Sequence, residues 1–127
     1  MLTVQLRHNG VTVARLPDVV AFDTVTDLHP LALALLEEGG CRHLVLDMSH
    51  IEDFDSSGLA MLLKVWHRSR AGGTALTLAA PPPFVQRMLT ITQAITFLAV
   101  TPSVRQALAG HTSRTTEDDD QDLADQA

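Results

Sequence analysis

The sequence is poor in cysteine and in long apolar runs. Among its 127 residues there is one cysteine, Cys41, which excludes an intrachain disulfide and a zinc site built from several cysteines. No apolar run reaches the roughly 18 residues expected of a membrane-spanning helix. The first residues lack the basic, apolar and small-residue order of a secretory signal. From these absences we expect a cytoplasmic protein that has no membrane partner.

Basic residues are also scarce, with nine lysines and arginines against fifteen aspartates and glutamates, for a net charge of −6. Most of that excess lies in residues 111–127, which hold six acids and one arginine. Residues 1–110 carry only −1, so they offer no basic surface for a nucleic acid. No apolar periodicity continues after Gly110. We therefore predict one domain over residues 1–110, followed by a disordered acidic tail over residues 111–127.

The chain does have the composition of a globular domain, with 46% hydrophobic residues. Near its start, apolar and polar residues alternate on both sides of Asn9-Gly10, which is the strongest short signal for a β-hairpin. Leucines at helical spacing follow over residues 28–36. This spacing predicts a helix that Thr26 or Asp27 caps and that Gly39-Gly40 ends.

The rest of the domain alternates strands and helices. The apolar run His43–Met48 predicts a strand buried on both faces, as in a parallel sheet. The next helix is predicted over Leu59–Arg70, and its apolar stripe predicts the side chains that face the core: Leu59, Leu62, Leu63 and Trp66. The segments that follow are predicted as a strand at 74–79, a helix from Pro81, a strand at Ile95–Val100 and a helix from Pro102. This order predicts an α/β domain whose sheet is antiparallel at its start and parallel later.

A cluster of polar residues surrounds the His43–Met48 strand. Its members are of types that bind metal ions: His43, Asp47, His50, Glu52, Asp53 and Asp55. Strand residues four apart are separated by roughly 13 Å, so His43 and Asp47 cannot hold the same ion. We therefore predict no metal site, and a metal-assisted hydrolase using His50 and nearby carboxylates is the alternative from another functional class. The serines lie outside a Gly-x-Ser-x-Gly elbow, and the chain has no glycine-rich phosphate loop.

The most informative motif is Asp55-Ser56-Ser57-Gly58-Leu59. Aspartate and serine are favoured before a helix because their oxygens accept hydrogen bonds from the free N–H groups of its first turn. Capping alone explains such a motif in most proteins. Its setting makes it more specific, because it lies between the strand Leu44–Asp47 and an amphipathic helix that ends at Gly72-Gly73.

Taken in order, Leu44-Val45-Leu46-Asp47, Phe54-Asp55-Ser56-Ser57-Gly58-Leu59 and Gly72-Gly73 resemble the STAS domain, and within it the bacterial anti-sigma factor antagonists. The resemblance implies a STAS-like fold with a mixed central β-sheet and helices packed mainly on one face. It implies that Ser56 is phosphorylated by a partner kinase, with Ser57 as the second choice. It also implies a partner-binding surface formed by five residues: Asp55, Ser56, Ser57, Gly58 and Leu59.

The function implied by the resemblance is partner switching, without enzymatic activity and without a cofactor. The unmodified protein binds an anti-sigma factor that is also a serine kinase, and thereby frees a sigma factor. Phosphorylation of Ser56 releases the kinase, and a phosphatase resets the cycle. We expect that Gly58, which has no side chain, lets the kinase approach the neighbouring hydroxyls. An alternative is a STAS scaffold subunit that no kinase regulates.

One segment departs from the resemblance. Many relatives carry a Gly-Glu-apolar-Asp sequence before the first helix, in a loop that helps to form the partner-facing surface. The corresponding residues here are Pro17-Asp18-Val19-Val20. Asp18 keeps the acid and Val19 keeps the apolar residue of that sequence, whereas its glycine and its final aspartate are absent.

Overall fold

A computed structural model describes residues 1–109 of the chain, and the predicted acidic tail lies outside them. The strands are β1 (Thr3–His8), β2 (Val11–Arg15), β3 (Val19–Val20), β4 (His43–Asp47), β5 (Asp53–Phe54), β6 (Ala75–Ala79) and β7 (Ala99–Thr101). The α-helices are α1 (Val25–Leu36), α2 (Ser56–Ala71), α3 (Pro83–Ile91) and α4 (104–109). The domain boundary at residue 110 stays a prediction.

Five of the strands form one mixed sheet in the order β1-β2-β4-β6-β7. β1 and β2 are antiparallel, whereas β4, β6 and β7 each run parallel to their neighbours. The predicted change from antiparallel to parallel pairing is therefore confirmed. The remaining strands, β3 and β5, pair in parallel as a separate two-stranded sheet.

The hairpin between β1 and β2 closes at Asn9-Gly10, as the sequence predicts. Both residues have a positive φ, 52° for Asn9 and 81° for Gly10. A two-residue turn in which both central residues are left-handed matches the twist of the flanking strands, and asparagine and glycine adopt this conformation most easily. His8 and Val11 are the paired residues that flank the turn.

The helices lie mainly on one face of the sheet, as the resemblance implies. The main apolar core joins side chains of α1, α2 and α3 to one face of the central strands, where Leu44, Leu46, Leu76 and Leu78 are buried. A smaller cluster on the other face joins Ala107 of α4 to side chains of β2, β4 and β6. α4 is thus the helix among residues 1–109 that packs on this second face.

The stripe of α2 that faces the core is rotated from the predicted one. Leu59 and Leu62 are buried as predicted, but Met61 and Val65 accompany them. Leu63 and Trp66 pack against the core but are only half-buried, so the predicted burial of the stripe is correct for Leu59 and Leu62 and wrong for these two residues. The apolar pattern alone did not decide between overlapping stripes, because the helix carries apolar residues on more than half of its circumference.

Other boundaries also differ from the prediction, and α2, for example, begins at Ser56, three residues before the predicted Leu59. α1 begins at Val25 with Thr24 in the capping position, one turn earlier than a cap at Asp27 would place it. The predicted strand Ile95–Val100 is divided into a 3-10 turn (Ala94–Thr96) and β7. Ala94 and Leu98 are both buried, and this burial folds the apolar run inward before β7 begins.

Within residues 1–109, no helix of the chain is long and apolar enough to cross a membrane.

Candidate functional site

The Asp55–Leu59 motif lies where β5 leads into α2. β5 pairs with β3 in register, Val19 with Asp53 and Val20 with Phe54. The backbone N–H groups of Glu52 and Asp53 donate to the carbonyl oxygen of Asp18 at 2.7 and 3.0 Å. This short pairing holds the loop before α2 against the segment before α1.

Asp55 caps α2 and also joins two loops. Its Oδ1 accepts hydrogen bonds from the N–H groups of Ser57 at 2.9 Å and Gly58 at 3.1 Å. Its Oδ2 accepts a hydrogen bond from the N–H of Phe22 at 3.1 Å. The carboxylate therefore fixes both the first turn of α2 and the loop that precedes α1.

These contacts stabilise the ionised carboxylate. The pKa of Asp55 is lowered, chiefly by the hydrogen bond from the Phe22 N–H and then by those from Gly58 and Ser57. Asp55, which directly precedes Ser56, is therefore ionised at neutral pH.

The two serines of the motif differ in exposure. Ser56, the first residue of α2, is exposed, whereas Ser57 is half-buried. Within residues 1–109, the Ser56 hydroxyl makes no hydrogen bond. The backbone N–H groups of the first turn at Ser57 and Gly58 are already bound to Asp55. The Ser56 hydroxyl is thus directed to solvent at a helix start whose nearest donors are occupied.

Gly58 and Leu59 lie inside the fold. A Cβ at Gly58 would come within 2.4 Å of the carbonyl oxygen of Val20 and within 2.8 Å of the Phe54 ring. The Leu59 side chain is part of the main core. The expected role of Gly58 in giving a kinase access is therefore replaced by a packing role, because its missing side chain faces the interior.

An exposed aromatic side chain lies beside the motif. Phe22 is 74% exposed although its N–H is bound to Asp55, so its backbone is held in place while its ring faces solvent. Sequence reasoning missed Phe22, because nothing in the local pattern indicates on which side of the loop the ring lies. Its unusual exposure for a large apolar residue is a signal that only the structure gives.

The surroundings of the motif are acidic. In addition to Asp55, the segment before α1 and the residues that lead into β5 contribute four exposed carboxylates: Asp18, Asp23, Glu52 and Asp53. These five residues are more than half of the nine acids in residues 1–110. This end of the protein therefore presents a negative surface with one exposed aromatic ring.

The segment that departs from the resemblance is built into the fold. Val20 is completely buried, and its carbonyl oxygen lies over Gly58. Asp18 is exposed, and its carbonyl oxygen accepts hydrogen bonds from the N–H groups of Glu52 and Asp53. The segment thus keeps its structural role. Val20 occupies the position at which many relatives carry the final aspartate, and its apolar side chain points inward.

The polar cluster around β4 does not converge on a metal site. His43 and Asp47 are at opposite ends of β4, and both are buried. His43 Nε2 lies 2.8 Å from the Thr77 hydroxyl, and Asp47 Oδ1 accepts from the Ser49 N–H at 3.0 Å. In residues 1–109 there is no group of three or more histidine, cysteine, aspartate or glutamate side chains that could hold a metal ion.

His50, named in the hydrolase alternative, is exposed on a polar groove of about 630 Å³ that also contains Glu52, Asp18 and Arg15. The Ser56 and Ser57 hydroxyls have no histidine partner within the described residues. Among the residues that the structure describes, the site therefore has neither a group of metal-binding side chains nor a serine hydrogen-bonded to a base.

A sequence model described as the STAS domain matches residues 4–107. The chain belongs to the STAS domain family. Solved structures agree with this STAS fold. An anti-sigma factor antagonist from Mycobacterium paratuberculosis is similar with a TM-score of 0.78 and 23% identity, over 87% of this chain and 92% of that one.

Two further structures have the same fold. A STAS domain anti-sigma factor antagonist from Planctomyces limnophilus gives a TM-score of 0.77 and 21% identity, over 88% of this chain and 98% of that one. The Bacillus cell fate determinant SpoIIAA in its phosphorylated form gives a TM-score of 0.68 and 14% identity, over 87% of this chain and 99% of that one. The structural neighbours of this STAS protein therefore include anti-sigma factor antagonists.

Proposed function

We propose that this STAS protein is an anti-sigma factor antagonist that acts in the cytoplasm by binding, without enzymatic activity. Its partner is an anti-sigma factor with serine kinase activity, and binding it frees a sigma factor. Phosphorylation of Ser56 ends the binding, and a phosphatase restores it. The observation that carries this proposal is the exposed Ser56 hydroxyl beside the exposed Phe22 ring on an acidic surface.

The charges of this surface support a switch based on repulsion. A phosphate on Ser56 would add about −1.5 to −2 charges at neutral pH. The neighbouring Asp55 is already ionised, and its oxygens occupy the N–H groups of Ser57 and Gly58. The phosphate would therefore remain outside the helix start and strengthen the negative surface against any partner fitted to a neutral hydroxyl.

The exposed ring of Phe22 supports a docking role for the same surface. Aromatic side chains at the centre of an interface often supply much of the binding energy, surrounded by polar residues that exclude water. The backbone of Phe22 is bound to Asp55, the residue that precedes Ser56, so its exposed ring belongs to the same surface as the motif. Gly58 and Leu59 contribute by holding α2 in position.

The test is phosphorylation of the purified protein with the cognate kinase and ATP, followed by peptide mass mapping. We expect phosphate on Ser56, retained kinase binding without phosphorylation for Ser56→Ala, and weakened binding for Ser56→Asp. Ser49→Ala is the matched control, because Ser49 is an exposed serine outside the motif. It should behave as the wild type in both assays.

Three outcomes would change the proposal. Phosphate on Ser57 alone would move the site by one residue. Kinase binding that persists without phosphate on either serine would favour the unregulated STAS scaffold. Stoichiometric metal in the purified protein, together with hydrolysis that depends on His50, would favour the hydrolase.

A further inference from the structure

A second surface, distant from Ser56, lies between α1 and the C-terminal half of α2. It is a groove of about 640 Å³ with an apolar floor that includes Leu33, Leu63, Trp66 and Phe97. The Trp66 and Phe97 rings pack with their centroids 5.7 Å apart. The Phe97 side chain is 60% exposed, so the floor of the groove remains open to solvent in the described part of the chain.

The rim of this groove is basic. α2 carries three cationic side chains, Lys64, Arg68 and Arg70, and no acid along its whole length. Arg68 forms an ion pair with Glu37 of α1. Within residues 1–109, Lys64 and Arg70 have no acidic partner, and the guanidinium of Arg70 lies 5.3 Å from the centre of the Trp66 ring. Within residues 1–109, the lining of the groove thus combines an apolar floor with one unpaired cation, Lys64, and Arg70 adds a second positive charge beside Trp66.

We propose that this groove is a docking site for the acidic C-terminal segment of the same chain, residues 117–125. The segment contains six acids and one large apolar residue, Leu123. Its chemistry complements the groove, because its carboxylates match the basic rim and Leu123 matches the apolar floor. No nine-residue stretch within residues 1–109 contains as many acids.

The path of the chain is compatible with this contact. α2 ends at Ala71, just before β6, and therefore near the amino ends of the parallel strands. Phe97 precedes β7 and lies near the same end. α4 follows the carboxyl end of β7 and packs through Ala107 onto a cluster that reaches Val11 at the amino end of β2. The chain thus returns over the sheet towards the end where the groove lies.

The length of the segment is also sufficient. Asp118 is nine positions after residue 109, and at roughly 3.3 Å per position this length of chain spans up to about 30 Å. α4 and the groove lie on opposite faces of the sheet, and the two helix layers are about 20 Å apart from centre to centre because helix and sheet layers are each about 10 Å thick. The extended segment is longer than this separation. A short tether also gives an effective concentration of about 1 mM, so even a weak contact would keep the groove mostly covered.

The protein contains a single tryptophan, so the fluorescence of Trp66 reports on the groove directly. The experiment measures acrylamide quenching of Trp66 in the full chain at low salt. It compares the wild type with a variant that combines Asp118→Asn, Asp119→Asn and Asp120→Asn. Because a tether at about 1 mM keeps the groove mostly covered, we expect a quenching constant about twofold higher in the variant. High salt should raise the quenching constant of the wild type to that of the variant, because salt screens the attraction between exposed charges.

Two substitutions within residues 1–109 test the contribution of the groove to the contact. Lys64→Glu should raise the quenching constant as the tail variant does, because it reverses a charge on the rim. Arg87→Glu is the matched control, since Arg87 is an exposed cation on α3 outside the groove, and it should match the wild type.

Equal quenching of the wild type and the tail variant at low salt would overturn the proposal. A difference that disappears on dilution would also overturn it, because it would assign the groove to a second copy of the chain.

Discussion

The close approach of α2 to the β3 backbone at Gly58 gives the sharpest stability prediction. In Gly58→Ala the new methyl group would lie 2.4 Å from the Val20 carbonyl oxygen and 2.8 Å from a Phe54 ring carbon. Real Cβ atoms do not tolerate such distances, so something must move. The Val20 contact is with backbone, and Val20 is held by its pairing with Phe54. The strain therefore falls on the contact between α2 and the β3–β5 sheet.

Two opposing terms decide the size of the effect. Alanine is favoured over glycine inside a helix by about 1 kcal/mol. Overpacking against a fixed neighbour typically costs about 1–3 kcal/mol and sometimes more. A contact as short as this one belongs at the upper end of that range. We expect the free energy of unfolding to fall by about 1–2 kcal/mol in total.

Urea unfolding followed by circular dichroism measures this change, provided the dependence on urea concentration is the same in both proteins. Gly39→Ala is the matched control, because nothing lies within 4 Å of a Cβ at Gly39. It should be neutral or slightly stabilising. If Gly58→Ala unfolded at the same urea concentration as the wild type, the contact with Val20 would not be rigid, and the packing role given to Gly58 would be wrong.

Three further predictions concern the core, the cap and the docking surface. Leu62→Ala should lower the free energy of unfolding by about 2–5 kcal/mol because Leu62 is fully buried, whereas Leu63→Ala should lower it by about 1 kcal/mol because Leu63 is half-buried. Equal losses in urea unfolding would contradict the assigned helix face. Asp55→Asn should be less stable than the wild type at pH 7, and the difference should persist down to the ordinary aspartate pKa of about 4 and then shrink as the pH falls through the lowered pKa of Asp55, which urea midpoints at several pH values would measure. Phe22→Ala should unfold with an unchanged midpoint but bind the kinase at least about tenfold more weakly by calorimetry, and unchanged affinity would remove Phe22 from the docking surface.

Local signals in the sequence were sufficient for much of the fold. The Asn9-Gly10 hairpin depends only on two residues that adopt a positive φ easily. β4 is recognisable because a strand buried on both faces needs an unbroken apolar run. The cap at Asp55 is also a local interaction, between one side chain and the next turn. In each case the information lies within a few residues of the feature.

The features that sequence reasoning missed depend on distant contacts. β3 and β5 are two residues each, and they exist because segments more than thirty residues apart pair with each other. The orientation of α2 depends on how it packs against α1 and the sheet, so Met61 rather than Leu63 faces the core. The backbone position of Phe22 depends on a hydrogen bond to Asp55, 33 residues later in the chain. None of these contacts leaves a pattern in the local sequence.

The five residues of the Asp55–Leu59 motif do not share one role, and this affects what the motif can indicate. Asp55 caps α2, Gly58 permits the approach to Val20, and Leu59 fills the core, so all three are required by the fold itself. Any STAS domain with this packing would favour them, whatever it binds. Ser56 is different, because its exposed hydroxyl has no structural contact in residues 1–109. The motif therefore identifies the fold through its buried residues, whereas the proposed switch depends on Ser56, which is why the decisive experiment is performed on that side chain.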